Sequence, residues 1–259
     1  MNDALYIAAT GMHSQQKSVD TIANNLANVN TLGFKRSKVS FEDLVYRGMQ
    51  PGGPVQAGGA GTLWQGSGVG IASLAKVFAA GELRKTDQPL DLAIDGAGFI
   101  EVSAPDGSPA YSRGGSLTVD RDGMLASAEG YVLKPGIHVG VDAEQLTIQP
   151  DGRVLVRAAG QAEAGEVGRI ELVRFADTDG LSALGGNLYR PSERSGDAIH
   201  GKAGEDGLGR LAQGTVEASN VRLIDEMVGL MAAQRAYESS VKVIQAADEM
   251  LAMSNNLRK

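Results

Sequence analysis

The sequence predicts an α+β protein. Long N- and C-terminal helices form a coiled-coil-like terminal domain, and a mainly antiparallel β domain is inserted between them. Three observations lead there. Residues 1–30 carry a heptad-spaced apolar seam, residues 223–255 carry a second, and the segment between is rich in glycine and punctuated by Asp-Gly and Gly-Gly pairs.

In the opening segment, Leu5, Ala8, Met12, Gln15, Val19, Ile22, Leu26 and Val29 follow at spacings alternating three and four. Such a stripe keeps one face toward a partner helix, and a lone polar member such as Gln15 fixes register at some cost in stability. Asp3, Lys17 and Asp20 are the only formal charges in residues 1–30. The other faces hold small, uncharged residues, among them Ala4, Ala9, Gly11, Ser14, Ser18 and Ala23. A solvated helix normally has a charged outer face, so this one is packable on several sides. On pattern alone, an ordinary amphipathic helix lying on a globular core stays open.

The closing helix has Ser219 or Asn220 as its expected N-cap. Its seam runs Leu223, Met227, Leu230, Gln234, Tyr237, Val241, Ile244, Asp248, Leu251, Asn255. Asp225 and Glu226 in the first turn and Arg258 and Lys259 at the end complement the helix dipole. Ile224, Val228 and Met231 widen the apolar face beyond one seam. A lone pair of such helices is marginal in water. Both ends are therefore expected to be loosely held in a free monomer and to lock among neighbouring subunits.

The domain boundaries follow from composition. Residues 1–34 and 216–259 make the discontinuous helical domain, 35–72 a Gly/Pro-rich connecting segment, and 73–215 the β-rich outer domain. Residues 48–70 are expected to be irregular, with Trp64 as the core plug of that loop. Asp95-Gly96, Asp106-Gly107, Asp122-Gly123, Asp151-Gly152 and Asp179-Gly180 read as hairpin turns, and Gly-Gly at 114–115 and 185–186 as further turns.

Composition excludes several chemistries. The 259 residues carry no cysteine, so disulfides, thiolate metal sites and cysteine nucleophiles are ruled out together. The net charge of −7 and the lack of a basic run argue against nucleic acid. No stretch of about 18 apolar residues could span a membrane as a helix, and no cleavable secretory leader is read at the start of the chain. Thr118, Asp120, Asp122, Gly123 and Glu129 sit at calcium-loop spacing. Position 1 should be Asp and the flanks should be helices, so a plain hairpin turn is the default and a calcium-binding secreted β protein the minor alternative. His13, His138 and His200 are scattered, and no nucleophile or phosphate-loop motif is present. The expectation is a protein that is not an enzyme and uses no cofactor or metal.

Four strings carry a family likeness. ANNLANVNTLGFK (23–35) resembles the N-terminal signature of bacterial flagellar basal-body rod and hook proteins, and residues 213–251 resemble that family's C-terminal segment. DLAIDGAGFIEV (91–102) and AYSRGGSLTVDRDGML (110–125) are similar to its β domain. ALYIAATGM (4–12), FEDLVY (41–46) and the length look most like the distal-rod branch, with a proximal rod or hook subunit as runner-up. The resemblance implies a structural subunit of a hollow helical drive shaft that crosses the periplasm. It implies export through the flagellar type III apparatus without a cleaved signal peptide. The implied partners are further copies of the chain, proximal rod proteins, the hook protein and the periplasmic and outer-membrane rings. It also implies that the two seams carry assembly, that the Gly/Pro-rich segment stiffens the shaft, and that Asn24, Asn25, Asn28, Thr31, Gly33 and Phe34 form the family motif. Within that motif, the amides suit a buried junction, Gly33 a positive φ, and Phe34 an anchor for the chain leaving the helix.

Overall fold

A computed structural model describes residues 2–44, 47–49, 63–104, 106–140, 143–158 and 163–256. Residues 50–62 of the connecting segment and the terminal Arg258 and Lys259 lie outside the described residues, as do the side chains of Trp64 and Asn255. The architecture is α+β: an N-terminal helix α1 (Asn2–Ala27), many short antiparallel strands, and a C-terminal helix α2 (Leu223–Asn256). The chain divides into two compact units, one of residues 1–26, 37–75 and 222–259, the other of residues 27–36 and 76–221.

In the first unit the two helices pack antiparallel. A Cβ placed on Gly11 would lie 3.6 Å from Ser240 Oγ, and one on Gly229 would lie 3.4 Å from Ile22 Cδ1. Asn25 Nδ2 donates to Glu226 Oε2 at 3.2 Å. The residue numbers of each pair sum to 251, so one register holds along the whole contact. The strand Ser37–Asp43 pairs with Val69–Lys76 in the same region, and Arg47–Met49 pairs with Leu63–Gln65. The stretch expected to be irregular thus carries a two-stranded ladder at its two ends.

The second unit is built from sheets. One has the strand order Leu125–Ser127, Gly114–Val119, Asp91–Asp95, Arg210–Gln213. A six-stranded sheet runs Ser182–Gly185, Leu188–Arg190, Pro109–Ser112, Phe99–Ser103, Leu172–Arg174, Ile199–Gly201. Three further strands, Ala143–Ile148, Arg153–Ala158 and Gly165–Arg169, form their own sheet. Leu92, Ile94, Ile100, Val102, Leu125, Val154 and Leu172 meet in the main core. Phe99, Tyr111, Val173, Phe175 and Tyr189 form a second cluster, held by edge-to-face ring contacts such as Tyr111 on Phe175 at 4.8 Å.

Asp106-Gly107, Asp122-Gly123, Asp151-Gly152 and Gly185-Gly186 do close hairpins, between strands that pair with each other. Three of the expected turns are corrected, Gly114-Gly115 among them, since both residues lie within the strand Gly114–Val119. Asp95-Gly96 joins no hairpin: Asp91–Asp95 pairs with Gly114–Val119 and Arg210–Gln213, whereas Phe99–Ser103 pairs with Pro109–Ser112 and Leu172–Arg174. The segment passes from one sheet to another. Asp179-Gly180 lies in a single 3-10 turn, Thr178–Gly180, whose flanking strands do not pair with each other. Gly114 also marks a change of sheet. Its φ is +97°, and an added Cβ would lie 2.5 Å from the Leu92 carbonyl oxygen, so the close approach admits no side chain.

Candidate assembly site

The face that α1 turns toward α2 is lined with small and polar groups. Ala8, Ser14, Thr21 and Asn25 are its buried members, with Gly11 and Ser18 partly buried. On α2, Glu226, Ala233 and Ala247 are buried and Ser240 is half-buried, each seven residues from the next. The register of the pair sets this heptad stripe opposite Asn25, Ser18, Gly11 and Ala4. Small side chains let the two backbones approach. Hydroxyls on this stripe bond back along their own helix: Thr21 Oγ1 donates to the Lys17 carbonyl at 2.8 Å, and Ser240 Oγ to that of Ala236 at 3.0 Å.

The large apolar residues of the expected seams flank this stripe rather than fill it. Ala8 is buried, and Leu5, Met12, Val19, Ile22, Leu26 and Val29 are half-buried. Leu230, Val241, Ile244 and Leu251 are half-buried as well, while Leu223, Met227 and Tyr237 are exposed. At the start of α2, Leu223, Ile224, Met227, Val228 and Met231 form one continuous apolar face, each at least half exposed and Ile224 at 75%. Val243, Met250 and Met253 continue the exposure further along. Contiguous exposed apolar faces of this kind mark interaction surfaces.

The family-motif residues part company. Asn25 is 1% exposed and acts as a three-way tie: Nδ2 donates to the Ser37 carbonyl at 2.9 Å and to Glu226, and Oδ1 accepts from the Ser37 N–H at 2.8 Å. Asn24 and Thr31 are exposed and Asn28 half-buried, with Thr31 Oγ1 donating to Asn28 Oδ1 at 3.1 Å. Gly33 has φ +68°, in a turn six residues past the end of α1 rather than at its cap, and its N–H donates to the Glu217 carbonyl at 2.7 Å. Phe34 is buried, with Lys76 Nζ 4.3 Å from its ring centroid.

Next to Phe34 lies a buried charge cluster that sequence reasoning missed. Lys35 Nζ is fully buried and donates to Glu217 Oε1 at 2.7 Å and to the Ala79 carbonyl at 2.8 Å. Arg113 approaches Glu217 Oε2 at 3.3 Å through Nε and donates from Nη1 to the Gly98 carbonyl at 2.7 Å. The Gly81 N–H donates to Glu217 Oε1 at 2.8 Å. Burial alone would push the Glu217 carboxyl up. The Arg113 charge, the Lys35 hydrogen bond and the Gly81 N–H outweigh it and hold the group below its usual range. Burial lowers Lys35 below its ordinary value in spite of Glu217. Burial also pushes the Tyr189 phenol up to about 12, against a small pull from Arg113. The one available signal was a charge set inside an otherwise apolar or small-residue string at two positions, Arg113 before Gly114-Gly115 and Glu217 between Val216 and Ala218; Lys35, followed by Arg36 and Lys38, gave none.

The calcium-loop spacing falls on a hairpin. Asp120 N–H donates to the Met124 carbonyl and Gly123 N–H to that of Asp120, both within 2.9 Å, and the flanks are the strands Gly114–Val119 and Leu125–Ser127. Among the described residues no group of three or more His, Asp or Glu is placed to hold a metal ion, and no described helix is long and apolar enough to cross a membrane.

The chain thus carries a paired-helix unit with an exposed apolar face and a unit of antiparallel sheets. Comparison with known proteins specifies the family. Residues 5–35 match the family model "Flagella basal body rod protein", residues 93–156 "Flagellar hook protein FlgE/F/G D1 domain", and residues 212–257 "Flagellar basal body rod FlgEFG protein C-terminal". The flagellar basal-body rod protein FlgG of Borreliella burgdorferi is 42% identical over 100% of both chains. FlgG of Caulobacter vibrioides is 40% identical over 98% of this chain and 99% of its own. Rod protein FlgF of the same organism is 35% identical over 96% and 95%. The chain belongs to the flagellar basal-body rod protein family.

Proposed function

We propose that this chain is a structural subunit of the distal rod, polymerising into a hollow helical shaft that passes torque to the hook. One observation carries the reading. The intramolecular helix pair spends the small-residue stripe and leaves the large apolar residues of both helices on its flanks and outer face. Covering Leu223, Ile224, Met227, Val228 and Met231 in water requires a neighbour, and at about 25 cal/mol per Å2 of apolar surface the gain from doing so drives assembly. Coiled-coil packing then arises between subunits. Residues 1–34 and 216–259 form the inner tube, 73–215 the outer layer inserted between them, and 35–72 the segment that sets stiffness.

The distal placement is supported by relatives named FlgG at 37–42% identity against the FlgF relative at 35%. As a basal-body component, the subunit travels through the flagellar export apparatus without a cleaved leader. It meets proximal rod proteins below, the hook protein above, and the periplasmic and outer-membrane rings around it. Ile224→Asp and Leu26→Asp test the reading. Both should yield exported, folded subunits that build no rod and leave cells non-motile, since each puts an unpartnered charge into the covered surface. Normal motility in both variants would overturn it.

A further inference from the structure

The chain passes between its two units four times, at residues 26–27, 36–37, 75–76 and 221–222. Within the second unit, the segments leading to three of these passages converge on one amide. Asn220 Oδ1 accepts from the Arg36 N–H at 2.7 Å, and Nδ2 donates to the carbonyls of Val77 at 2.7 Å and Ala79 at 3.0 Å. All four hydrogen-bonding positions of a primary amide are two lone pairs and two N–H groups, and three contacts to three different backbone groups use it as a cross-link rather than a cap. The backbone completes the knot: Val77 N–H donates to the Arg36 carbonyl at 2.8 Å and Asn220 N–H to the Phe34 carbonyl at 3.4 Å. Lys76 Nζ donates to the Lys35 carbonyl at 3.0 Å while its charge lies over the Phe34 ring. Lys35, in turn, is locked to Glu217 and Ala79. The fourth passage is held on the first unit's side by Asn25, which ties the end of α1 to Ser37 and Glu226.

We infer that Asn220 is a positioning residue that staples the polypeptide passages of the second unit into one mechanical element, so that load is shared by the passages together and not carried by each in turn. The expected helix cap role fails for a physical reason. α2 begins at Leu223, and the amide of Asn220 is already committed to segments 34–36 and 77–79. A flexible attachment would dissipate twist in the linkers. A cross-linked set resists it, because rotating one passage must break bonds to the others.

The inference rests on the torque-bearing reading, yet its first test does not. Hydrogen exchange on the full-length monomer compares Asn220→Ala with Val154→Ala, a cavity variant in the core of the same unit, fully buried and away from the junction. Three lost hydrogen bonds predict that the amides of Arg36 and Val77 and that of residue 220 exchange about a hundredfold faster, together, while the amides of Arg153–Ala158 keep their protection. Val154→Ala should do the reverse. Lys76→Met, which removes one tie from the same junction and keeps an apolar stem, should accelerate the same amides by about tenfold and serves if Asn220→Ala does not fold. Unchanged exchange at Arg36 and Val77 in the variant that folds overturns the staple. The second test is rotation of tethered cells under rising viscous load. Rods built from the junction variant should form and turn at low load but fail at high load, whereas Val154→Ala rods should not. Equal load tolerance would overturn the mechanical role while leaving assembly intact.

Discussion

Glu217→Ala is the sharpest probe of the buried charge cluster. The substitution removes the carboxylate that, among the described residues, faces both Lys35 and Arg113, whose side chains are 0% and 3% exposed, and it also strips a partner from the Gly81 N–H. Breaking a buried ion pair by deleting one partner costs about 3–5 kcal/mol, because the other charge is stranded. Here two cations are stranded, so the upper part of that range is expected, a large share of a typical stability of about 5–15 kcal/mol. The reciprocal change behaves differently. Lys35→Met exchanges a buried ammonium for an apolar chain of similar length and leaves Glu217 still facing Arg113 at 3.3 Å, so its cost is about 1–2 kcal/mol or less. Urea titration followed by circular dichroism measures both. A loss in Glu217→Ala below about 1 kcal/mol, or one equal to that of Lys35→Met, would refute the claim that this carboxylate is what makes the cluster tolerable.

Acid sensitivity is set in part by Glu217: its folded value is lowered, so the folded state binds fewer protons, and its stabilisation is complete above the ordinary carboxylate value of 4.5 and lost as pH falls through the lower folded value. Glu217→Gln should flatten that part of the acid limb in a pH series of urea midpoints. Gly114→Ala should cost at least about 1–3 kcal/mol in the same assay, because φ is +97° and the new methyl meets the Leu92 carbonyl oxygen. Gly11→Leu should open the helix pair at Ser240, lowering helical circular dichroism in the monomer without shifting the melting of the sheets. Asn25→Ala removes three hydrogen bonds and leaves buried Ser37 groups unpaired, with an expected loss of about 2–4 kcal/mol from the helical unit.

The two helices were legible because heptad spacing persists through many turns, and their ends fall within a few residues of the expected limits. What the spacing did not disclose is which stripe each helix spends on the other. Apolar weighting favours Met12, Val19 and Leu26, yet the faces that meet carry Gly11, Ser14, Thr21, Ala233 and Ser240, where close backbone approach replaces bulk. Hairpins at Asp106-Gly107, Asp122-Gly123 and Asp151-Gly152 were readable because turn chemistry is local. Asp95-Gly96 misled for the complementary reason: the strands on either side find partners far away in sequence, and a local turn signal carries no information about them. The charge cluster joins Lys35 to Glu217 across 182 positions and Arg113 to Glu217 across 104. Nothing in spacing connects such residues before the sheets are assembled. Asn220 was noticed for the right chemistry and given the wrong partner, since a capping side chain and a cross-linking one look alike in sequence.

The chain has no cysteine, so a thiol introduced by Ile224→Cys is unique and reports on one point of the exposed α2 face. A water-soluble maleimide should modify it rapidly in the exported monomer, where the position is 75% exposed, and should fail to reach it in intact basal bodies isolated from motile cells. Equal labelling in both states would contradict the account, because the face left open by the helix pair would then still be open in the assembled shaft.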